Sequence, residues 1–153
     1  MAVKPIPEGY HSVTPYLIIE GAAQAIDFYK KAFGAVELSR MAMPDGKIGH
    51  AEMRIGNSPI MLGEQCLEMG HRAPQGSSPV GLLIYVEDVD ALAKQAVAAG
   101  AKEVKPVIDQ MWGDRMGTFN DPYGHQWSLA THIEDVSPEE MDRRFKECMK
   151  KAS

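Results

Sequence analysis

A chain of 153 residues, 44% hydrophobic and 24% charged, has an ordinary globular composition and is long enough for one compact core. Its formal net charge of −5, without a basic run, argues against nucleic acid as a partner, because phosphate binding needs a cationic patch. No apolar stretch of about 18 residues is present to span a membrane, and Pro5, Pro7 and Glu8 stand where a signal peptide would be apolar.

In chain order, the β-branched and aromatic run Ser12 to Ile19 predicts a strand ended by Glu20-Gly21. Ala22, Ile26, Tyr29 and Phe33 recur at helical spacing, and Gly34 stands where a left-handed cap would end that helix. Val36 to Met41 predicts a second strand, turned by Pro44-Asp45-Gly46 into Ile48 to Ile55. Gly56-Asn57 is a hairpin signal leading to a fourth strand, Pro59 to Leu62. The polar, Gly/Pro/Ser-rich stretch from Glu64 to Pro79 reads as a linker. The pattern then begins again: Gly81 to Val86 as a strand, a helical stripe of Val89, Leu92, Ala93, Ala96 and Val97 closed by Gly100, and Val104 to Ile108 as a strand. A hairpin from Gly113 to Ala130 completes the second unit around Asp121-Pro122-Tyr123-Gly124.

The repetition is regular. Gly34-Ala35 returns as Gly100-Ala101 at an offset of 66, and Glu20, Gly46 and Leu62 return as Glu87, Gly113 and Leu129 at 67. A near-constant offset across helix and strands predicts two copies of one β-α-β-β-β unit. The expected fold is α+β: two tandem modules, about 12–64 and 80–133, form cupped mixed sheets around a cavity within a domain of residues 1–136. Residues 137–153 form a separate helix, since Ser137, Pro138 and Glu140 give a capping box with proline at the first helical position. Cys66 and Cys148 lie in unlike contexts without a CxxC pair and read as reduced thiols of a cytoplasmic protein.

Strand parity then sorts the side chains. Pairing Asn120 with His125 puts Arg115, Gly117, Phe119, Gln126, Ser128 and Ala130 on one face of the hairpin, the expected cavity face. Met116, Thr118, Trp127 and Leu129 take the other, under a helix. Pairing Ile55 with Ser58 sets Glu52 opposite Met61 and His50 opposite Gly63.

These units, the stretch Phe28-Tyr29-Lys30-Lys31-Ala32-Phe33-Gly34 and the turn Asp121-Pro122-Tyr123-Gly124 resemble the vicinal oxygen chelate superfamily, which includes glyoxalase I, extradiol dioxygenases and the fosfomycin- and bleomycin-resistance proteins. Thr14-Pro15-Tyr16-Leu17, Gly49-His50-Ala51-Glu52, Val86-Glu87-Asp88-Val89-Asp90, Gly113-Asp114-Arg115 and Gly124-His125-Gln126-Trp127 are similar to its PhnB-like branch. The resemblance implies a homodimer and metal ligands on the first and last strand of each module, at Thr14, Met61, Gly81 and Ser128. None is a His, Glu or Gln, and a thioether is too soft for Mg, Mn or Fe, so no metal and no cofactor is expected.

With Met61 facing the cavity, His50 and Glu52 face it too. Arg115 is expected to bind a carboxylate or phosphate, Glu52 an amine or hydroxyl, and His50 to carry a proton. Tyr16, Met61, Trp112, Phe119 and Ser128 are expected to line the ligand site. The sequence thus predicts metal-independent binding of a small organic molecule. The alternative is a divalent-metal lyase, isomerase or dioxygenase with displaced ligands such as His50 and Glu52, which are also the candidates for acid/base catalysis. A third reading is an inert scaffold assembled through its C-terminal helix.

Overall fold

The computed structural model describes residues 2–152. The first module runs β1 (Tyr16–Ile19), α1 (Ala22–Phe33), β2 (Val36–Ala42), β3 (Ile48–Ile55) and β4 (Ser58–Glu64), and its sheet has the order β1-β4-β3-β2. The second runs β5 (Gly81–Tyr85), α2 (Val89–Ala99), β6 (Lys102–Asp109), β7 (Asp114–Asn120) and β8 (Gln126–His132), in the matching order β5-β8-β7-β6. In each, the first strand lies parallel to the last and the other pairs are antiparallel. The chain thus repeats one unit, as the sequence offset requires, and α3 (Pro138–Lys151) follows beyond it.

Local chemistry sets the helix limits. The N–H groups of Gly21 and Ala22 both donate to the Glu64 carboxylate at 2.9 Å, so a residue of β4 caps α1, where the helix dipole favours an anion. Gly34 ends α1 at φ 66°. Asp88 caps α2 by accepting from Ala91 N–H at 3.0 Å. Ser137 does the same for α3, accepting from Glu140 N–H at 3.2 Å.

The predicted strand over Ser12 to Ile19 is shorter than expected. Its ladder with β4 begins only where Tyr16 meets Met61, and Val13 stands 85% exposed ahead of it. The predicted linker holds a 3₁₀ turn at Leu67–Met69 and a bridge between Cys66 and His71.

Each helix covers one face of its own sheet, and the helices also pack on each other. Gln95 of α2 donates through Nε2 to the Lys31 carbonyl of α1 at 2.9 Å. The rings of Tyr29 and Phe33 in α1 lie 5.4 and 4.8 Å from that of Trp127 in β8. The core therefore runs sheet, helices, sheet. Leu17, Ile19, Met53, Ile60 and Leu62 enter it from the first module, and Phe119, Trp127 and Leu129 from the second. The opposite, cupped face of each sheet points outward.

Asp121 joins the halves. Its buried carboxylate accepts from Tyr29 Oη at 2.6 Å and Trp127 Nε1 at 2.9 Å, and from the backbone N–H groups of Tyr123 and His125 at 2.8 and 2.9 Å. Burial first, then the adjacent Asp121 charge, raises the Tyr29 phenol well above its ordinary range.

The hairpin register differs from the expectation by one residue. Asn120 pairs with Gln126, and Asp121 N–H donates to the His125 carbonyl at 2.9 Å, so the loop is the three residues Pro122-Tyr123-Gly124. Gly124, at φ 91°, takes the left-handed position such a loop requires. A one-residue slip exchanges the faces of a strand. Ser128, Ala130 and Gln126 therefore share the outward face with Met116, Thr118 and Asn120, whereas Arg115, Gly117 and Phe119 join Trp127 and Leu129 on the helix side.

Candidate functional site

The outward face of the first sheet is built as parity predicts. Met61 in β4 pairs with Tyr16 of β1 on one side and Glu52 of β3 on the other, and Met41 of β2 pairs with His50. Tyr16, His50, Glu52 and Met61 thus come together. Tyr16 Oη lies 3.0 Å from His50 Nδ1, and His50 Nε2 lies 3.5 Å from Glu52 Oε1. The Tyr16 ring sits 5.5 Å from that of His50. Gly63 makes room for it, since a Cβ there would stand 3.0 Å from Tyr16 Oη and 2.7 Å from the Gly49 carbonyl oxygen.

Tyr10, unremarked in the sequence, closes over this group. Its hydroxyl is buried and makes no complete hydrogen bond among the described residues, yet lies close enough to act on Glu52. Tyr10, with His50 and Ser39, holds the Glu52 carboxyl below its usual range against the opposing effect of burial. Burial, reinforced by Glu52, pushes Tyr10 up to about 12. A histidine held between a phenol and a carboxylate can orient a ligand by hydrogen bonds and can carry a proton. Beside Tyr16 a cleft of about 300 Å³ runs under the linker, lined by Arg72, Ser77, Ser78, Leu82 and His125 among others.

The outward face of the second sheet carries Leu83, Tyr85, Met116, Thr118, Ser128 and Ala130. Ser128 and Met61 are equivalent in the repeat, and Leu83 stands beside Ser128 as Tyr16 stands beside Met61. A second polar group lies at the far end of this face. Asp114, 4% exposed, accepts from Tyr85 Oη at 2.9 Å, and its other oxygen lies 2.8 Å from His132 Nδ1. His132 Nε2 lies 2.8 Å from Asp135. Burial pushes Asp114 upward, but the hydrogen bonds from His132, Tyr85 and Trp112 outweigh it and hold the carboxyl low. Asp135 and then Asp114 raise the His132 imidazole above its ordinary value. The correct register alone could have found this group, because it places Asp114 directly opposite His132.

Two predicted site residues lie elsewhere. Arg115 is held on the helix side, donating through Nε and Nη2 to both oxygens of Asp90 in the first turn of α2, at 2.8 and 2.9 Å, and through Nη1 to Asp109 at 2.9 Å. Phe119 is 1% exposed and pairs with Trp127 in the core. Both misplacements follow from the hairpin slip. Trp112, 39% exposed, reaches the outward face through Asp114.

The positions implied for a metal do not suit one. Thr14 and Gly81 lie two residues ahead of Tyr16 and Leu83, while Met61 and Ser128 face outward with a thioether and a neutral hydroxyl. Such donors do not hold a hard divalent ion. Among the described residues no group of three or more His, Cys, Asp or Glu side chains could hold one.

A protein of Mycobacterium tuberculosis strain H37Rv, Rv0887c, is 43% identical over 135 residues, covering 85% of this chain and 79% of its own length. The solved structure of TioX from Micromonospora sp. ML1 superposes with a TM-score of 0.67 at 27% identity, covering 80% of this chain and 99% of that one. The PhnB protein from Bacillus cereus shares the fold, with a TM-score of 0.64 at 19% identity over 79% of this chain and 99% of its own. Residues 10–129 match one family over most of the chain's length, so with its paired modules this protein belongs to the Glyoxalase/Bleomycin resistance protein/Dioxygenase superfamily.

Proposed function

We propose that the protein binds a small organic molecule without a metal ion, on the outward face of the first sheet. The observation that carries this reading is the convergence of Tyr16, His50, Glu52 and Met61 on that face, while the implied metal-binding positions, two in each module, hold only Thr, Met, Gly and Ser. The contacting set is Tyr16, His50, Glu52 and Met61 of one chain, with Trp112 and Ser128 contributed by the second module of a second copy. Arg115 and Phe119 drop out of it, and with Arg115 goes the basis for preferring an anionic ligand.

Homodimerisation is part of the proposal. The outward faces expose Met41 by 67%, Leu83 by 46% and Tyr85 by 60%. A second copy, set with its second module against the first module of its partner, would cover that apolar area and enclose the ligand between two cups. A cytoplasmic location agrees with the free thiols of Cys66 and Cys148.

The test is calorimetric screening of a small-molecule library against the wild type, Glu52→Gln, His50→Ala and Arg115→Ala. Binders should weaken in the first two variants and be unaffected in the third. Full affinity in both Glu52→Gln and His50→Ala would refute the site. Light scattering reports the oligomeric state.

A further inference from the structure

We propose that Tyr10 holds the place of the ligand: the segment ahead of β1 is a displaceable plug, and the molecule that replaces it is an aromatic compound donating an O–H or N–H to Glu52. This rests on the reading of the first sheet's outward face as the ligand site. The plug is an element of the chain that the site geometry alone does not require.

Residues 2–15 form no helix or strand, carry Pro5, Pro7 and Pro15, and are exposed except at Tyr10, Thr14 and Pro15. The backbone holds a turn there, Tyr10 N–H donating to the Pro7 carbonyl at 3.1 Å, and an exposed ion pair joins Lys4 to Glu8. A chain this loosely held nevertheless takes one aromatic side chain down onto the sheet and buries its hydroxyl beside a carboxylate.

The fit is incomplete. The Tyr10 hydroxyl makes no complete hydrogen bond among the described residues, and a buried donor left unsatisfied offsets much of what the buried ring contributes. Glu52 is approached by His50 at 3.5 Å and by Ser39 and Tyr10, so displacing Tyr10 vacates a donor position that a ligand can take. The His50 ring is fixed from its other side by Tyr16 at 3.0 Å, so it is held ready to serve Glu52 or a ligand there. An aromatic donor free of the chain can settle where its hydrogen bond to Glu52 is short and straight. Tyr10, tethered to its turn, does not. Ligand binding then releases the arm.

The test compares wild type, Tyr10→Ala, Tyr10→Phe and Tyr10→Ala/Glu52→Gln, with p-cresol and its hydroxyl-free counterpart toluene as probes. Tyr10→Phe keeps the ring and removes the orphaned hydroxyl, so its melting temperature should equal or exceed that of wild type. Tyr10→Ala should bind p-cresol roughly tenfold or more tighter than wild type does, and tighter than it binds toluene. Adding Glu52→Gln should abolish that preference. In the wild type, saturating p-cresol should speed amide hydrogen exchange at residues 8–12.

Equal binding of p-cresol and toluene by Tyr10→Ala would overturn the donor class. Unchanged exchange in the arm, with p-cresol bound, would overturn the plug. Either result leaves the proposed ligand site standing if library compounds still bind and still depend on Glu52. That site itself fails only if no compound binds any variant in a Glu52-dependent way.

Discussion

The carboxylate of Asp121 offers the sharpest quantitative test of how the modules are joined. Asp121→Ala withdraws the acceptor from four donors. Two are side chains in the core, Tyr29 at 0% and Trp127 at 2% exposure, and neither can turn to water. The backbone donors of Tyr123 and His125 lie at the loop, where solvent can partly replace the lost partner. Each buried side-chain donor left unpaired costs about 1–3 kcal/mol, so the pair predicts a loss of about 4 kcal/mol. That is a melting shift of roughly 8–16 °C for a chain of this size. Tyr29→Phe removes one charge-assisted bond of about 1.5–3 kcal/mol but leaves Asp121 three donors. The two residues belong to different modules, so their coupling measures the joint itself. In the double variant the phenol no longer lacks a partner, and the combined loss should fall short of the sum of the single losses by about 1–2 kcal/mol. Urea unfolding followed by far-UV circular dichroism gives all four free energies. A loss below about 1 kcal/mol for Asp121→Ala, or additivity within about 0.3 kcal/mol, would refute the reasoning.

Gly63→Ala should cost about 1–3 kcal/mol, because the new Cβ meets backbone at Gly49, which yields less readily than a side chain. The displaced Tyr16 should also release His50, visible as a change in its imidazole resonances; wild-type stability with unmoved resonances would contradict the packing. The raised His132 ring sets a pH dependence. A group whose folded pKa lies above its unfolded value stabilises fully below about pH 6.5 and loses that contribution as pH rises through the folded value. The urea midpoint should therefore decline as pH rises above about 6.5, more steeply in wild type than in Asp135→Asn, and a rise there would be incompatible with it. Arg115→Ala breaks solvent-screened ion pairs with Asp90 and Asp109 and should leave the urea midpoint nearly unchanged. It should leave the affinity of any library binder unchanged, whereas a loss matching that of Glu52→Gln would return Arg115 to the site.

The sequence reached the fold because period and punctuation agree in both modules. Helical spacing marks α1 and α2, glycines with positive φ follow each, and the offset of 66 to 67 ties them together. The first site group was legible for a simple reason. Gly56-Asn57 is a two-residue turn that fixes Ile55 opposite Ser58, and every later pair in β3 and β4 follows from it. The second hairpin lacks that protection. Asp-Pro-Tyr-Gly can be enclosed as four residues or, with Asp121 drawn into the ladder, as a loop of three. What selects the three-residue loop is the demand of Tyr29 and Trp127 for a buried acceptor, a long-range contact with no trace in local spacing. That one choice moved Arg115 from an imagined anion site to an ion pair with α2, buried Phe119, and set Asp114 across from His132. Tyr10 was beyond reach for a different reason: no periodicity exists in its segment, and only the sheet beneath it decides which aromatic side chain lies down. Where the ladder is fixed locally, side-chain chemistry can be assigned from sequence; where a distant hydrogen bond fixes it, every inference about which face a side chain takes inherits that bond.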